Sequence, residues 1–241
     1  MDRKILKTDA KEILSNNKDL YLYAFLYFVI TTVVSVCLNY FEGLGTAIYF
    51  CVTIVLTSLL YKISLGVSYG KEISFEFDTF PRFLRTYLFY FLYNVLAFIP
   101  MSIVIFVFSL VTFISISTSS DVDTYYMQNR EKIYLILVII FILALIISIA
   151  IAIYITLKYS LSLYIASEED NQYLTARECM NLSKNLIKGH KTEFFILQLS
   201  FIPWIFLVGI TLGIAGIYVV PYQQLTYTQF YLKLKEQNKM Y

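Results

Sequence analysis

The feature that most constrains this chain is its long runs without a charged side chain. Runs of 18 or more such residues recur, for example within residues 20–40, 86–117 and 133–157. About 20 mostly apolar residues, wound as a helix, cross a hydrocarbon core of about 30 Å. In lipid every backbone N–H must be paired inside its own segment, so helices are the expected element. Composition agrees. The chain is 59% hydrophobic and 15% charged, against about 45–50% and 25% for a soluble domain. The expected fold is therefore all-α: a polytopic transmembrane helical bundle forming one membrane domain.

Six spans are expected, paired as three hairpins. The first hairpin covers residues 20–65, with a turn at Gly43 and Gly45 and with Lys62 placed to snorkel from its end. The second covers residues 86–166. Its first span, 86–117, would be about 48 Å long as a straight helix, so it must tilt, project or kink at Pro100. Its second span starts near residue 133 and continues as a helix toward Ala166. The third covers residues 194–232, as spans 194–212 and 217–232. The polar connection 66–85 interleaves Phe75, Phe77 and Phe80 as interfacial anchors, and the connection 118–132 is rich in Ser, Thr and Asp.

Two amphipathic helices flank these spans. Residues 3–17 put Leu6, Ala10, Ile13 and Leu14 on one face, as in a helix lying on a membrane surface. Residues 175–188 put Ala176, Cys179, Leu182, Leu186 and Ile187 on one face. There Thr175 and Glu178 have capping-box spacing, and Gly189 stands where a C-terminal cap would.

The cations fix the expected orientation. With six spans, 17 of the 19 Lys and Arg residues fall on one side, and only Arg130 and Lys132 on the other. The positive-inside rule places both termini in the cytoplasm. No cleavage site follows the first apolar run, which should stay as an anchor. Cys37, Cys51 and Cys179 have no metal or redox spacing. They are expected as small buried residues, with Cys37 and Cys51 near each other at the outer surface.

Groups that make bonds are sparse. One histidine, His190, excludes His-rich zinc motifs, and no glycine-rich phosphate loop with Lys-Ser/Thr is present. No catalytic residue, cofactor or metal is expected, and no nucleic acid partner. His190 is expected as a helix-end contact. The cores of the spans hold neutral polar groups instead: Asn94, Gln198, Gln223 and Gln224, with Gln229 nearby. An unpaired buried amide costs a few kcal/mol, so each should bond across helices or line a solute path. Pro221 would loosen that last helix, and Gly209-x-x-x-Gly213 permits close helix approach.

The basic approaches to the first and third hairpins are alike. Lys11 to Lys18 and Lys184 to Lys191 share spacing, an apolar pair (Ile13-Leu14, Leu186-Ile187) and a turn residue (Asn16, Gly189). A duplicated unit of surface helix plus hairpin would explain them.

The C-terminal third carries the most specific motifs: Gly189-His190-Lys191, Ser200 with Trp204, Thr211 with Gly213, Pro221-Tyr222 and Phe230-Tyr231. With Lys7, Ala10-Lys11 and Leu14 at the start, and Leu65-Gly66-Val67-Ser68 and Tyr159-Ser160 in the middle, the chain resembles the bacterial membrane family labelled domain of unknown function 975, found mainly in Firmicutes. It departs from that family in the centre. A Pro-Gly pair usually ends the third span close before the Tyr-Ser; here Pro100-Met101 stands there, nearly 60 residues earlier. The resemblance implies a multipass protein of a bacterial plasma membrane and no known reaction. The expected role is non-catalytic contact with the lipid bilayer, a membrane-protein partner or another copy of the chain, in envelope maintenance, export or immunity. The alternative is a carrier or channel for a neutral or amphipathic solute.

Overall fold

The structure is a computed structural model that describes residues 2–38, 44–73, 75–117, 124–171 and 173–239. Among these residues it is all helical, without a strand. In order, the helices are α1 (Arg3–Asn16), α2 (Asp19–Leu38), α3 (Leu44–Ser68), α4 (Phe80–Leu96), α5 (Ile99–Ser117), α6 (Thr124–Tyr159), α7 (Ser162–Ser167), α8 (Ala176–Leu186), α9 (Lys191–Leu199), α10 (Ile202–Ile210) and α11 (Gly216–Lys239). A single 3-10 turn, Glu169–Asn171, links α7 to α8.

Among the described residues, four helical segments are long and apolar enough to cross a membrane: Asp19–Val36, Gly45–Ser68, Leu135–Ser167 and Lys191–Ile210. The pair Phe80–Leu96 and Ile99–Leu110, bent by 45°, is a fifth if the two helices form one broken span. The bend falls at Ala97-Phe98. Pro100 then occupies the first turn of α5, where its missing N–H costs nothing. The long third span thus resolves as a kink. It also starts earlier than expected, so Arg82 and Arg85 lie on helix α4 rather than in a connection. The 24-residue α11, expected as a sixth span, is not among the five. The polar run Gln-Gln-Leu-Thr-Tyr-Thr-Gln at 223–229 lowers its apolarity.

The chain forms two compact units. The smaller, Tyr90–Thr156, holds the end of α4, α5 and most of α6. Its outward side chains are overwhelmingly Ile, Leu, Val and Phe. Inside it, the Asn94 amide donates to the carbonyl of Tyr90 at 2.9 Å, and its oxygen accepts from Thr156 at 3.1 Å. Asn94 therefore joins two helices.

The larger unit, Met1–Phe89 with Leu157–Tyr241, contains the core. Its centre is the second half of α11. Phe230, Tyr231 and Leu234 pack with Leu6, Tyr164, Phe194 and Leu197, while Tyr222 and Leu225 pack with Ala10, Leu14, Leu20, Leu60 and Phe201. The apolar stripe of α1 (Leu6, Ala10, Leu14) is thus covered by protein, not lipid. The sequence showed the stripe but not what would cover it.

The capping box at the start of α8 forms as expected. Thr175 Oγ1 accepts from Glu178 N, and the Glu178 carboxylate accepts from Thr175 N at 2.7 Å. Gly189 takes φ +90°, the left-handed region glycine favours. The buried face of α8, however, is Ala176, Cys179, Met180 and Ser183, and Leu182 points outward. Helix α6 gives way to α7 at Ser160-Leu161, so the helical path does reach Ala166, with a break. Cys51 is exposed and Cys179 buried. Gly43, the side chains of Cys37 and Arg130, and residues 118–123 of the polar connection lie outside the described residues.

Candidate functional site

Sequence reasoning found almost no ionisable group within the spans. Two charges are nonetheless buried in the larger unit, at the ends of spans rather than in their cores. Glu168, 4% exposed, follows directly on α7, whose six residues are all buried. Lys62, 6% exposed, lies in the last two turns of α3.

Glu168 is a hub. Its Oε1 accepts from Lys235 Nζ at 2.6 Å and from the Tyr69 hydroxyl at 2.7 Å, and its Oε2 accepts from Asn171 Nδ2 at 2.7 Å. These bonds tie α11, the end of α3 and the 3-10 turn to one carboxylate. Arg82, near the start of α4, donates from Nε to the carbonyl of Ala166 at 2.8 Å and from Nη2 to that of Glu168. Those carbonyls end α7 and have no partner within the helix. A guanidinium there also meets the negative end of the helix dipole.

Lys62 is paired rather than snorkelling. It forms an ion pair with Asp78, donates to the carbonyl of Glu76 at 3.2 Å, and has Glu76 and Glu169 carboxylate oxygens at 3.7 and 3.8 Å. Lys71 closes the network on Glu169 at 2.7 Å. Burial and the bond to Glu168 push the Tyr69 hydroxyl well above its ordinary pKa. Burial raises the Asp78 carboxyl too, but the bond and charge of Lys62 outweigh it, and the net pKa is lowered.

A cavity of 360 Å³ opens beside this network, between Lys62, Gly66, Tyr69 and Lys71 on one wall and Ser167 to Asp170 on the other. Its wall carries both signs of charge. Lys62 and Glu168 are each committed to partners, so the arrangement braces helix ends rather than presenting a free base or nucleophile.

The residues singled out from the sequence fall elsewhere. His190 Nδ1 meets Glu193 Oε2 at 3.1 Å at the start of α9. Ser200 bonds back to Leu197, and its carbonyl accepts from Lys7 Nζ at 3.4 Å. Trp204 packs on Tyr218 and Tyr222, and Phe230 on Phe194. Tyr231 stacks on Tyr164. Pro221 is buried within α11, and Thr211 and Gly213 build the turn before that helix. Lys191 opens α9. Gln223 donates to the Tyr227 hydroxyl at 2.8 Å, Gln224 is buried and Gln198 is half-buried.

Most motif positions are therefore packing or turn residues around α11, along the full length of the chain. The family described as "Protein of unknown function (DUF975)" matches residues 1–238. The chain belongs to this family. No curated protein and no solved structure matches it. In this DUF975 protein Pro221, Tyr222, Phe230 and Tyr231 are buried, while the other C-terminal motif residues are half-buried or exposed. The sequence marks Glu168 only by its place directly after the uncharged run 159–167.

Proposed function

We propose that this chain is an integral protein of a bacterial plasma membrane with both termini in the cytoplasm, acting without bond-making. It works by contact with lipid, with a membrane-protein partner or with its own copies, in envelope maintenance, export or immunity. The observation that carries this reading is the interior around α11. Phe201, Tyr222, Leu225 and Tyr227 fill it with stacked rings and aliphatic groups, and Gln223 spends its amide on Tyr227. The 360 Å³ cavity is lined from α3, the segment after it and the end of α7 with the turn that follows, and by no residue of α11. The 17-to-2 sorting of cations supports the orientation.

A carrier for a neutral solute is the second reading, favoured by one observation. Gln224 Nε2 and the Tyr164 hydroxyl are buried without a hydrogen-bond partner. Two measurements separate these readings. Native mass spectrometry of gently extracted protein should retain lipid or protein adducts. Liposomes containing the protein should swell no faster than empty ones in urea, glycerol or sugars. Protein-dependent swelling that Gln224→Ala abolishes overturns the contact reading in favour of the carrier.

A further inference from the structure

The third hairpin has a geometry that length and hydropathy alone do not convey. Residues 191–210 are long enough to cross a bilayer, but their two halves differ. In α9, Phe194 and Leu197 are buried against the second half of α11, with Phe194 rings 4.9 and 5.3 Å from Phe230 and Tyr227. In α10 no residue is buried.

The boundary between the halves is marked by two cations. Lys7 Nζ, on α1, lies 4.6 Å from the Phe201 ring and donates to Ser200 O; Lys11 Nζ lies 5.8 Å from the Tyr222 ring. An ammonium group is costly inside hydrocarbon, so these nitrogens mark headgroup level. Trp204, Tyr218 and Tyr222 cluster just beyond, as interfacial rings do. Only residues from about 201 to 221 lie deeper. The outgoing arm, Ile202–Ile210, is nine residues, about 14 Å at 1.5 Å per residue. That is half of a core of about 30 Å.

A neighbouring helix gives an independent measure of depth. Tyr218 stacks on Tyr21, near the start of α2. At the hairpin tip, a Cβ placed on Gly213 would lie 2.7 Å from Phe28 Cε2. Phe28 is nine residues past Asp19, about 14 Å along α2, and α2 continues about 15 Å further, to Leu38. The tip therefore meets α2 at its middle.

The turn itself is built for hydrocarbon. Every backbone N–H from Thr211 to Val219 is bonded within the hairpin. The tightest links are Gly213 N to Val208 O and Gly216 N to Gly213 O, both 2.8 Å, with Ala215 N on Thr211 Oγ1 at 3.0 Å. Lipid demands such internal pairing and water does not. Ile210, Leu212 and Ile214 project from the tip at 80%, 87% and 67% exposure. No charged residue occurs between Glu193 and Lys233.

We propose that residues 201–221 form a re-entrant hairpin. It enters the cytoplasmic leaflet, turns at mid-bilayer among the acyl chains of that leaflet, and returns to the same side. Crossing is then left to α2, α3, the α4–α5 pair and α6. The proposal rests on the membrane reading above and keeps its even number of crossings.

The test is spin-label depth in liposomes. A variant lacking the three native cysteines receives Ile210→Cys or Ile214→Cys, with Ile30→Cys and Val36→Cys on α2 as references. Oxygen against nickel-chelate accessibility should place nitroxides at 210 and 214 at the mid-bilayer depth of position 30. A reading at the opposite headgroup region, like or beyond that of position 36, overturns the re-entrant hairpin. Orientation is read separately, from impermeant maleimide on Lys4→Cys and Glu236→Cys in intact cells. Labelling of either from outside sinks the cytoplasmic-termini reading and leaves the depth result standing. Melting curves for each variant guard against misfolding, and Leu207→Cys substitutes at the tip arm if a variant fails to fold.

Discussion

Single residues decide more here than the apolar bulk suggests, and Glu168 decides most. Its carboxylate is enclosed and holds Lys235, Tyr69 and Asn171. Removing one partner of a buried pair leaves the other charge uncompensated. Glu168→Ala should therefore destabilise the protein by about 3–5 kcal/mol, seen as a lower melting temperature in detergent. Adding Lys235→Met should restore part of that loss; a double variant no better than the single one would show that the pair is not what holds the site. Asp78 gives a pH dependence of known sign. Its folded-state pKa is depressed by Lys62 despite burial. Its stabilisation is thus complete above the ordinary Asp value of about 3.9 and is lost as pH falls through the folded value. Melting temperature should fall on acidification below about pH 4, and less steeply in Asp78→Asn. None of this was legible in the sequence. Glu168-Glu169-Asp170 has the look of a solvated loop, and only the fold shows that its first member is enclosed while Glu169 is half-buried.

At the scale of elements, legibility follows local rules. The capping box at Thr175 and Glu178 and the left-handed Gly189 depend on a few neighbouring residues, and each forms where the sequence placed it; the break of the third span falls just before Pro100, at Ala97-Phe98. The partner of an amphipathic face depends on distant chain, and there the reading failed. The stripe of α1 meets α11, more than 200 residues away, and nothing in residues 3–17 distinguishes protein from lipid as its cover. The two covers differ in energy. Leu6→Ala should cost about 2–5 kcal/mol if Leu6 fills a protein core, whereas Ile5→Ala, on the outward face, should change stability by about 0.5 kcal/mol or less. Equal, small effects at both positions would mean that α1 is held by lipid. Chemical denaturation in mixed micelles measures the difference.

The whole molecule brings its two ends together, and this gives the topology a test free of charge counting. Helix α1 runs along α11 so that Leu6 lies with Phe230 and Leu234, and Leu14 with Tyr222 and Leu225. Lys233 Nζ bonds Asp9 Oδ2 at 2.8 Å. Both terminal helices therefore share one end of the larger unit, and with them come Lys62, Lys71, Arg82 and the Glu168 hub. Concentrating cations there agrees with the attraction of the cytoplasmic side for Lys and Arg. The sidedness and the count of crossings are therefore separate questions in this sequence. A hairpin that dips and returns leaves every flanking cation on the same side as a hairpin that crosses twice. Fluorescent protein fused at either terminus should fold and fluoresce in the cytoplasm, while a reporter inserted at 118–123 should be active only outside. Inverting the sparse outer charges with Arg130→Glu and Lys132→Glu should leave this pattern unchanged. Reporters that place the two termini on opposite sides would break the packing of α1 on α11 as a description of the protein in its membrane, since two helices joined by an enclosed core cannot lie on opposite faces of a bilayer.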